Sequence, residues 1–303
     1  MVLNLSLDKR IEDAIVMLLK AASIYLPQDV KNALIKARDL EDNPLAKAQL
    51  DAIIRNCELA EAEGKPICQD TGLISFYVSV GDEFPVKGAL ADILRKATIR
   101  ATREIPLRPN SVDVLSGKNP GDNTGRYVPH IEWELIPNSS ELKVTAFPKG
   151  GGSEGPCLAK VILPTEGLRY AKKIVLDAVA EAGPKPCPPT VIGVGLGGTM
   201  DYAVKLAKKA LLRPIGVRSD VEGLAKLEVE LLELVNSLGI GPHGVGGKTT
   251  ALDVHVDCAH RHPASYAVAV VFNCWAVRRS TMIMDSRGNV DFITHKFMNE
   301  LWR

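Results

Sequence analysis

The sequence predicts a mixed α+β fold: a helical N-terminal region followed by further helices and a largely antiparallel sheet. Three observations point there. Apolar residues recur at helical spacing as far as Gly64. Runs rich in β-formers appear only beyond residue 72 and then alternate with helical stretches. With 46% apolar and 24% charged residues in 303, the chain has material for a buried core, which excludes intrinsic disorder.

The elements follow in order. Ile11, Ile15, Leu18, Leu19 and Ala22 form one helical face, and Val30, Leu34 and Ala37 form another. Asn43-Pro44 is a helix start, with a capping side chain before a proline at the first helical position, and Gly64 is the stop. Leu73–Val80 is a strand and Ala89–Arg103 a helix. Residues 106–129 are dense in Pro, Gly, Asn and Asp, and a loop of that length inside a compact fold is usually functional. His130–Ile136 alternates Ile131, Trp133 and Leu135 with glutamates, PNSS turns the chain, and Leu142, Val144 and Ala146 alternate on the return, which predicts a hairpin. Helices are expected at 165–182, 201–213 and 221–238, and strands near 190–195, 250–257, 265–275 and 280–284. No repeat or linker divides the chain. It reads as one domain over 1–303, helical to about residue 66 and α/β over about 67–303.

Charge and hydropathy exclude several partners. With 37 Lys+Arg against 36 Asp+Glu and no long run of one sign, no field draws nucleic acid or an anionic membrane. No apolar run approaches the ~18 residues of a membrane-spanning helix. The opening MVLNLSLDKR lacks the pattern of a secretory signal, so a cytoplasmic location is expected.

Several motifs carry chemistry. Gly193-Val194-Gly195-Leu196-Gly197-Gly198 fits GxGxxG between a strand and a helix, as in a nucleotide-binding regulatory protein, although it comes late in the chain. GPHGVGGKTT (241–250) resembles a phosphate loop out of register and reads as a turn. Lys149-Gly150-Gly151-Gly152-Ser153 fits backbone amides pressed against an anion, and fits a plain flexible loop equally. His255, Cys258, His260 and His262 form a patch with zinc-ligand chemistry, but only alternate residues of a strand share a face. Cys68 lies in PICQDTG, Cys187 between prolines in KPCPP, and Cys274 at the end of an apolar strand in FNCW. Rigid turns and a strand end suit fixed ligands, including three cysteinates of an iron–sulfur cluster with one iron left open. The long spacing and lack of a local cluster motif leave zinc and purely structural readings standing.

Taken together and in this order, PICQDTG, KGGGSE, CPP with GVGLGGT, RHPAS and the cysteine of FNCWA resemble the iron–sulfur (class I) fumarases and the related L-tartrate dehydratases, in particular the α subunit of the two-subunit forms. The resemblance implies that Cys68, Cys187 and Cys274 hold a [4Fe–4S] cluster. It implies that Gln69 and Asp70 contact substrate, with Asp70 the acid–base group, and that Arg108 binds a substrate carboxylate. Gly152 would offer its backbone to the substrate, and His262 would be the site histidine, while Cys57, Cys157 and Cys258 would be structural. It further implies a separate β subunit, an α2β2 assembly, and reversible hydration of fumarate to (S)-malate, with tartrate dehydration as the alternative.

Overall fold

The computed structural model describes residues 2–302. In chain order the elements are α1 (Val2–Ile24), α2 (Gln28–Leu40), α3 (Pro44–Glu63), β1 (Ser75–Gly81), α4 (Leu90–Glu104), β2 (His130–Ile136), β3 (Leu142–Ala146), α5 (Gly151–Glu154) and β4 (Leu158–Ile162). There follow α6 (Gly167–Ala182), β5 (Thr190–Leu196), α7 (Met200–Ala210), α8 (Glu222–Ser237), β6 (Ala251–Cys258), β7 (Tyr266–Asn273), β8 (Ser280–Met284), β9 (Val290–Phe292) and α9 (Met298–Leu301). The mixed fold class is as the sequence predicts. The start of α3 is also as read: the Asn43 side chain accepts the Leu45 N–H at 2.9 Å, and Gly64 ends the helix at φ +64°. The short elements α5, β4, β9 and α9 carry too little periodicity to be seen in advance.

The chain forms two compact units assembled from separated stretches. The first takes residues 1–28, 56–149 and 278–303, and the second 29–55 and 150–277.

In the first unit a five-stranded sheet has the order β2-β1-β3-β8-β9, with only β1 and β2 parallel. Ile15, Leu18 and Leu19 of α1 and Leu94 and Ala97 of α4 bury against Phe76, Val78, Val144 and Met282 of the sheet. The expected hairpin between β2 and β3 is not formed, because β1 lies between them. The turn that joins them crosses the end of β1 at Gly81, where a Cβ would stand 2.0 Å from the Ser139 carbonyl oxygen. Only a residue without a side chain lets the connection pass over the strand. Alternation reports which face of a strand is buried, but not which strand it pairs with.

In the second unit the order is β4-β7-β5-β6, again with a single parallel pair, β5 with β6. The central β5 is buried throughout, and α7 packs on it at very short range. A Cβ at Gly193 would be 2.1 Å from the Ala207 carbonyl oxygen, and one at Gly195 1.9 Å from that of Ala203. Two glycines of GVGLGG therefore lie inside the strand and serve helix packing, whereas a dinucleotide loop puts its glycines after the strand. The GPHGVGG segment is likewise a turn, held by Glu41, whose carboxylate accepts the Lys248 N–H at 2.7 Å.

The second unit also buries a network of charges. Glu228, Asp253 and His255 are fully buried. Arg213 meets Glu228 at 2.8 Å, Arg218 meets Asp253 at 2.5 Å, and His255 Nε2 lies 3.1 Å from Asp253. Asp253 also accepts the Gly216 N–H at 2.7 Å, and Glu228 accepts those of Ser219 and Val256. Burial alone would raise the Asp253 carboxyl, but hydrogen bonds from His255, Gly216 and Arg218 outweigh it and hold the group below the usual carboxylate range.

Gly195→Ala is expected to cost about 1–3 kcal/mol in chemical denaturation, since helix α7 must move. Gly223→Ala, in α8 with nothing within 4 Å, is expected to be neutral or stabilising by up to about 1 kcal/mol. Equal losses in both would remove the packing explanation. Asp253→Asn takes the carboxylate from the half-buried Arg218 and from the buried His255, and is expected to cost about 1.5–3 kcal/mol at neutral pH. Because the folded-state value is depressed, this stabilisation is full above the unfolded value of about 4 and is lost as pH falls through the folded one. The gap between wild type and variant should therefore narrow in acid unfolding below about pH 4.

Candidate active site

The first unit holds Cys68, Gln69, Asp70 and Arg108. Immediately before Cys68 the chain is anchored: the Ile67 N–H donates to the Ser23 carbonyl at 3.0 Å, and the Asn56 amide to that of Ile67 at 2.8 Å. Immediately after, Gly72 has φ +85°, and a Cβ there would stand 2.7 Å from the Pro148 carbonyl carbon and 2.8 Å from the Lys149 nitrogen. Leu73 and Lys149 exchange two backbone hydrogen bonds of 2.9 and 3.0 Å. The segment Cys68–Asp70 is thus fixed at both ends, with Cys68 and Asp70 half-buried and Gln69 exposed.

Asp70 is held by its own turn and by the 106–129 loop. Its Oδ1 accepts the Gly72 N–H at 2.9 Å and the Asn110 amide at 3.1 Å, and its main-chain carbonyl accepts a hydrogen bond from Arg278 Nη1. Arg108 is tied in by its backbone: the Thr71 hydroxyl accepts the Arg108 N–H at 3.1 Å and donates to the Arg108 carbonyl at 3.2 Å. Asn123, buried and in the left-handed region at φ +60°, accepts the Asn110 N–H at 2.7 Å and donates to the Arg108 carbonyl at 3.2 Å. The Arg108 residue is exposed while its backbone is fixed, an arrangement suited to a carboxylate arriving from solvent.

The second unit holds Gly152, Cys187, His262 and Cys274. Cys187 is exposed and sits in the left-handed region at φ +52° between two prolines, a conformation costing a non-glycine residue of order 1–3 kcal/mol. The Trp275 N–H, next to Cys274, donates to the Cys187 carbonyl at 3.3 Å, which ties the two cysteine segments together. Gly152 is the second residue of α5 and is exposed; its nearest neighbour for an added Cβ is the Lys185 carbonyl oxygen at 3.7 Å. His262 lies on the loop after β6, exposed, with Nδ1 accepting the Ala264 N–H at 3.1 Å.

None of the six cysteines is in a disulfide. Cys57 is buried, and Cys157 accepts the Phe272 N–H at 3.4 Å, as befits structural thiols. Among the described residues no three His, Cys, Asp or Glu side chains gather closely enough to hold a single metal ion. His255 is spent on Asp253 and the Ala210 carbonyl, so the zinc patch does not form. Thr71, Asn110, Asn123 and Arg278 had no individual signal in the sequence. The unusual composition of the 106–129 loop marks only the neighbourhood of two of them.

The first unit thus holds an anchored Cys-Gln-Asp turn and a backbone-fixed, exposed arginine, and the second holds two linked cysteine segments. Residues 12–283 match the family described as Fumarate hydratase (Fumerase), and the chain belongs to that family, which is one of hydro-lyases. More particularly, it is similar to a Methanocaldococcus jannaschii chain provisionally named L(+)-tartrate dehydratase subunit alpha, at 45% identity over 89% of this chain and 96% of that one. It is also similar to the L(+)-tartrate dehydratase subunit alpha of Escherichia coli K12, at 37% identity over 90% of both.

Asn110→Ala should lower hydro-lyase turnover about 10–100-fold, the cost of a carboxylate displaced by about an ångström. Asn110→Asp should be worse, because it sets a second carboxylate against Asp70. Steady-state kinetics of the two variants, beside their melting temperatures, checks the order. An Asp variant as active as wild type would sink this role for the amide.

Proposed function

We propose that this chain is the α subunit of an iron–sulfur fumarate hydratase, catalysing reversible addition of water to fumarate to give (S)-malate. The observation that carries the reading is the family match over 12–283, which takes in Cys68, Cys187, Cys274 and the anchored Asp70 turn. Cys68, Cys187 and Cys274 would be the ligands of a [4Fe–4S] cluster. The donor set fits: all three are thiols outside disulfides, half-buried or exposed, and Cys187 holds a left-handed backbone at φ +52°. A cubane spreads its thiolates over separate irons, so it does not need the convergence of a single-ion site.

When bound, the cluster supplies a Lewis-acidic iron able to hold and acidify water. The remaining steps belong to the chain's own residues. Arg108 grips one substrate carboxylate with paired hydrogen bonds, and the Gly150–Gly152 amides meet a carboxylate oxygen with no side chain in the way. Gln69 hydrogen-bonds the substrate, and His262 adds a charge-assisted contact. Asp70, oriented by Gly72 and Asn110, moves the proton at the carbon next to the one that receives hydroxyl.

The relatives are named as alpha subunits, which supports a separate β polypeptide that completes the site. An α2β2 assembly follows from the preference of oligomers for closed two-fold symmetry. A second reading, L-tartrate dehydration, is favoured by the names of those same relatives.

Anaerobic reconstitution should give about four iron and four sulfide per chain in wild type and in Cys57→Ser, and far less in Cys68→Ser, Cys187→Ser and Cys274→Ser. Zinc in place of iron, or retention in all three variants, would defeat the cluster assignment. The chain alone should not turn over, and its complex with the β polypeptide should favour fumarate over L-tartrate in kcat/KM. The reverse preference would establish the second reading.

A further inference from the structure

Arg278 is 2% exposed, and its described contacts are out of keeping with a buried charge. A guanidinium carries five N–H donors and stays protonated, so in a protein interior it is normally paired with a carboxylate. Here Nη1 donates to the Asp70 main-chain carbonyl, and the buried Nε has no hydrogen-bond partner among the described residues. The contact of Arg278 with Asp70 is to the main-chain carbonyl and not to the carboxylate, whose Oδ1 accepts from Gly72 and Asn110. Among the described residues the adjoining Arg279, 4% exposed, shares a buried Nε without a hydrogen-bond partner, whereas the buried carboxylates are differently placed. Glu228 lies between Arg213 and Arg218, Asp253 between Arg218 and His255, and Glu41 accepts three backbone N–H groups. An orphaned buried donor on a charged group calls for an explanation, and an absent anion is one that also balances the charge.

The anion can be located along the chain. Asp70 is two residues from Cys68, which limits the separation of their Cα atoms to about 7 Å. A diffusible dicarboxylate would meet an exposed cation, as Arg108 is. A cation 2% exposed suits an anion that is resident. Resting on the function proposed above, we infer that Arg278 is the counter-charge of the thiolate-bound iron–sulfur cluster at Cys68. It holds the Cys68–Asp70 turn by the Asp70 carbonyl and sets an otherwise uncompensated positive charge beside the anionic thiolates. In this role it is a positioning and charge-balancing residue, not a catalytic one.

Two consequences separate this from a structural clamp. Without the cluster, a buried cation lacking its anion is a burden, and an apolar side chain of similar length should relieve it. Cluster-free Arg278→Met should therefore melt no lower than cluster-free wild type. With the cluster, losing a nearby positive charge disfavours the more negative, reduced form. At a fixed potential the reduced-to-oxidised ratio should fall about tenfold in Arg278→Met and Arg278→Gln, equal to 59 mV for a one-electron couple. Arg278→Lys, which keeps the charge, should remain near wild type.

The experiment is a redox titration of the anaerobically reconstituted chain followed by EPR, with iron and sulfide counted in each sample and melting curves taken before loading. Wild type that takes up no cluster would end the functional reading and this inference with it. A loaded Arg278→Met with unchanged potential would end the inference alone. So would a cluster-free Arg278→Met that unfolds well below wild type, or Lys and Met variants that shift equally. A raised KM for the dicarboxylate at unchanged potential would assign Arg278 to substrate instead.

Discussion

The backbone of Gly72 lies against that of Pro148 and Lys149 with no room for a side chain, and the geometry of the first unit's candidate site depends on that approach. The Leu73–Lys149 bridge it permits joins two segments about seventy-five residues apart in sequence, an ordering that local propensity alone would not hold. The turn bearing Cys68 and Asp70 lies on one side of the bridge, and the glycine run begins on the other with Gly150. Around it the polar groups form a closed set. Asp70 is satisfied by Gly72 and Asn110, Thr71 by Arg108, and Asn110 by Asn123. A carboxylate meant to move protons is most useful when its orientation is set before substrate arrives, and backbone amides with short asparagines are stiff groups for that purpose.

Much of the fold was legible because its elements are long and one-sided. The faces of α1 and α4, the buried β5 and β7, and the Asn43-Pro44 start of α3 are all written in local spacing. The pairing of β2 was not, because strand order is decided by what lies between two segments in space, and Gly81 gives no hint that a connection crosses it. The cysteines could be picked out by their rigid settings, and a strained φ of +52° at Cys187 accords with that reading. Asn110, Asn123 and Arg278 were invisible for a different reason. Their meaning lies in a hydrogen bond to a residue far along the chain, and an asparagine in a loop or an arginine after a strand looks the same with or without it.

The GVGLGG segment shows how one residue pattern serves two physical ends. A glycine gives close approach, and the sequence does not say to what. In a nucleotide site the approaching group is a pyrophosphate, and the glycines follow the strand. Here the carbonyls of Ala203 and Ala207 approach instead, which presses α7 onto the middle of the sheet. The register decides between the two, since Gly193 and Gly195 are hydrogen-bonded strand residues paired with both β6 and β7. The KGGGSE run differs in the same test. A Cβ at Gly152 would meet only the Lys185 carbonyl oxygen, at an ordinary 3.7 Å, so close packing does not demand that the side chain be missing.

That contrast extends to the energetics of the chain. Where charge is buried for structure, as at Glu228 and Asp253, partners surround it and the account closes within the protein. Elsewhere it does not close: in the second unit Cys187 holds an unfavourable backbone, and in the first Arg278 keeps a buried Nε without a hydrogen-bond partner among the described residues. Natural sequences are locally consistent except where function demands otherwise. The strained Cys187 backbone and the orphaned Arg278 donor are two such departures, one in each unit, and each is a local cost that the contacts described around it do not offset in kind.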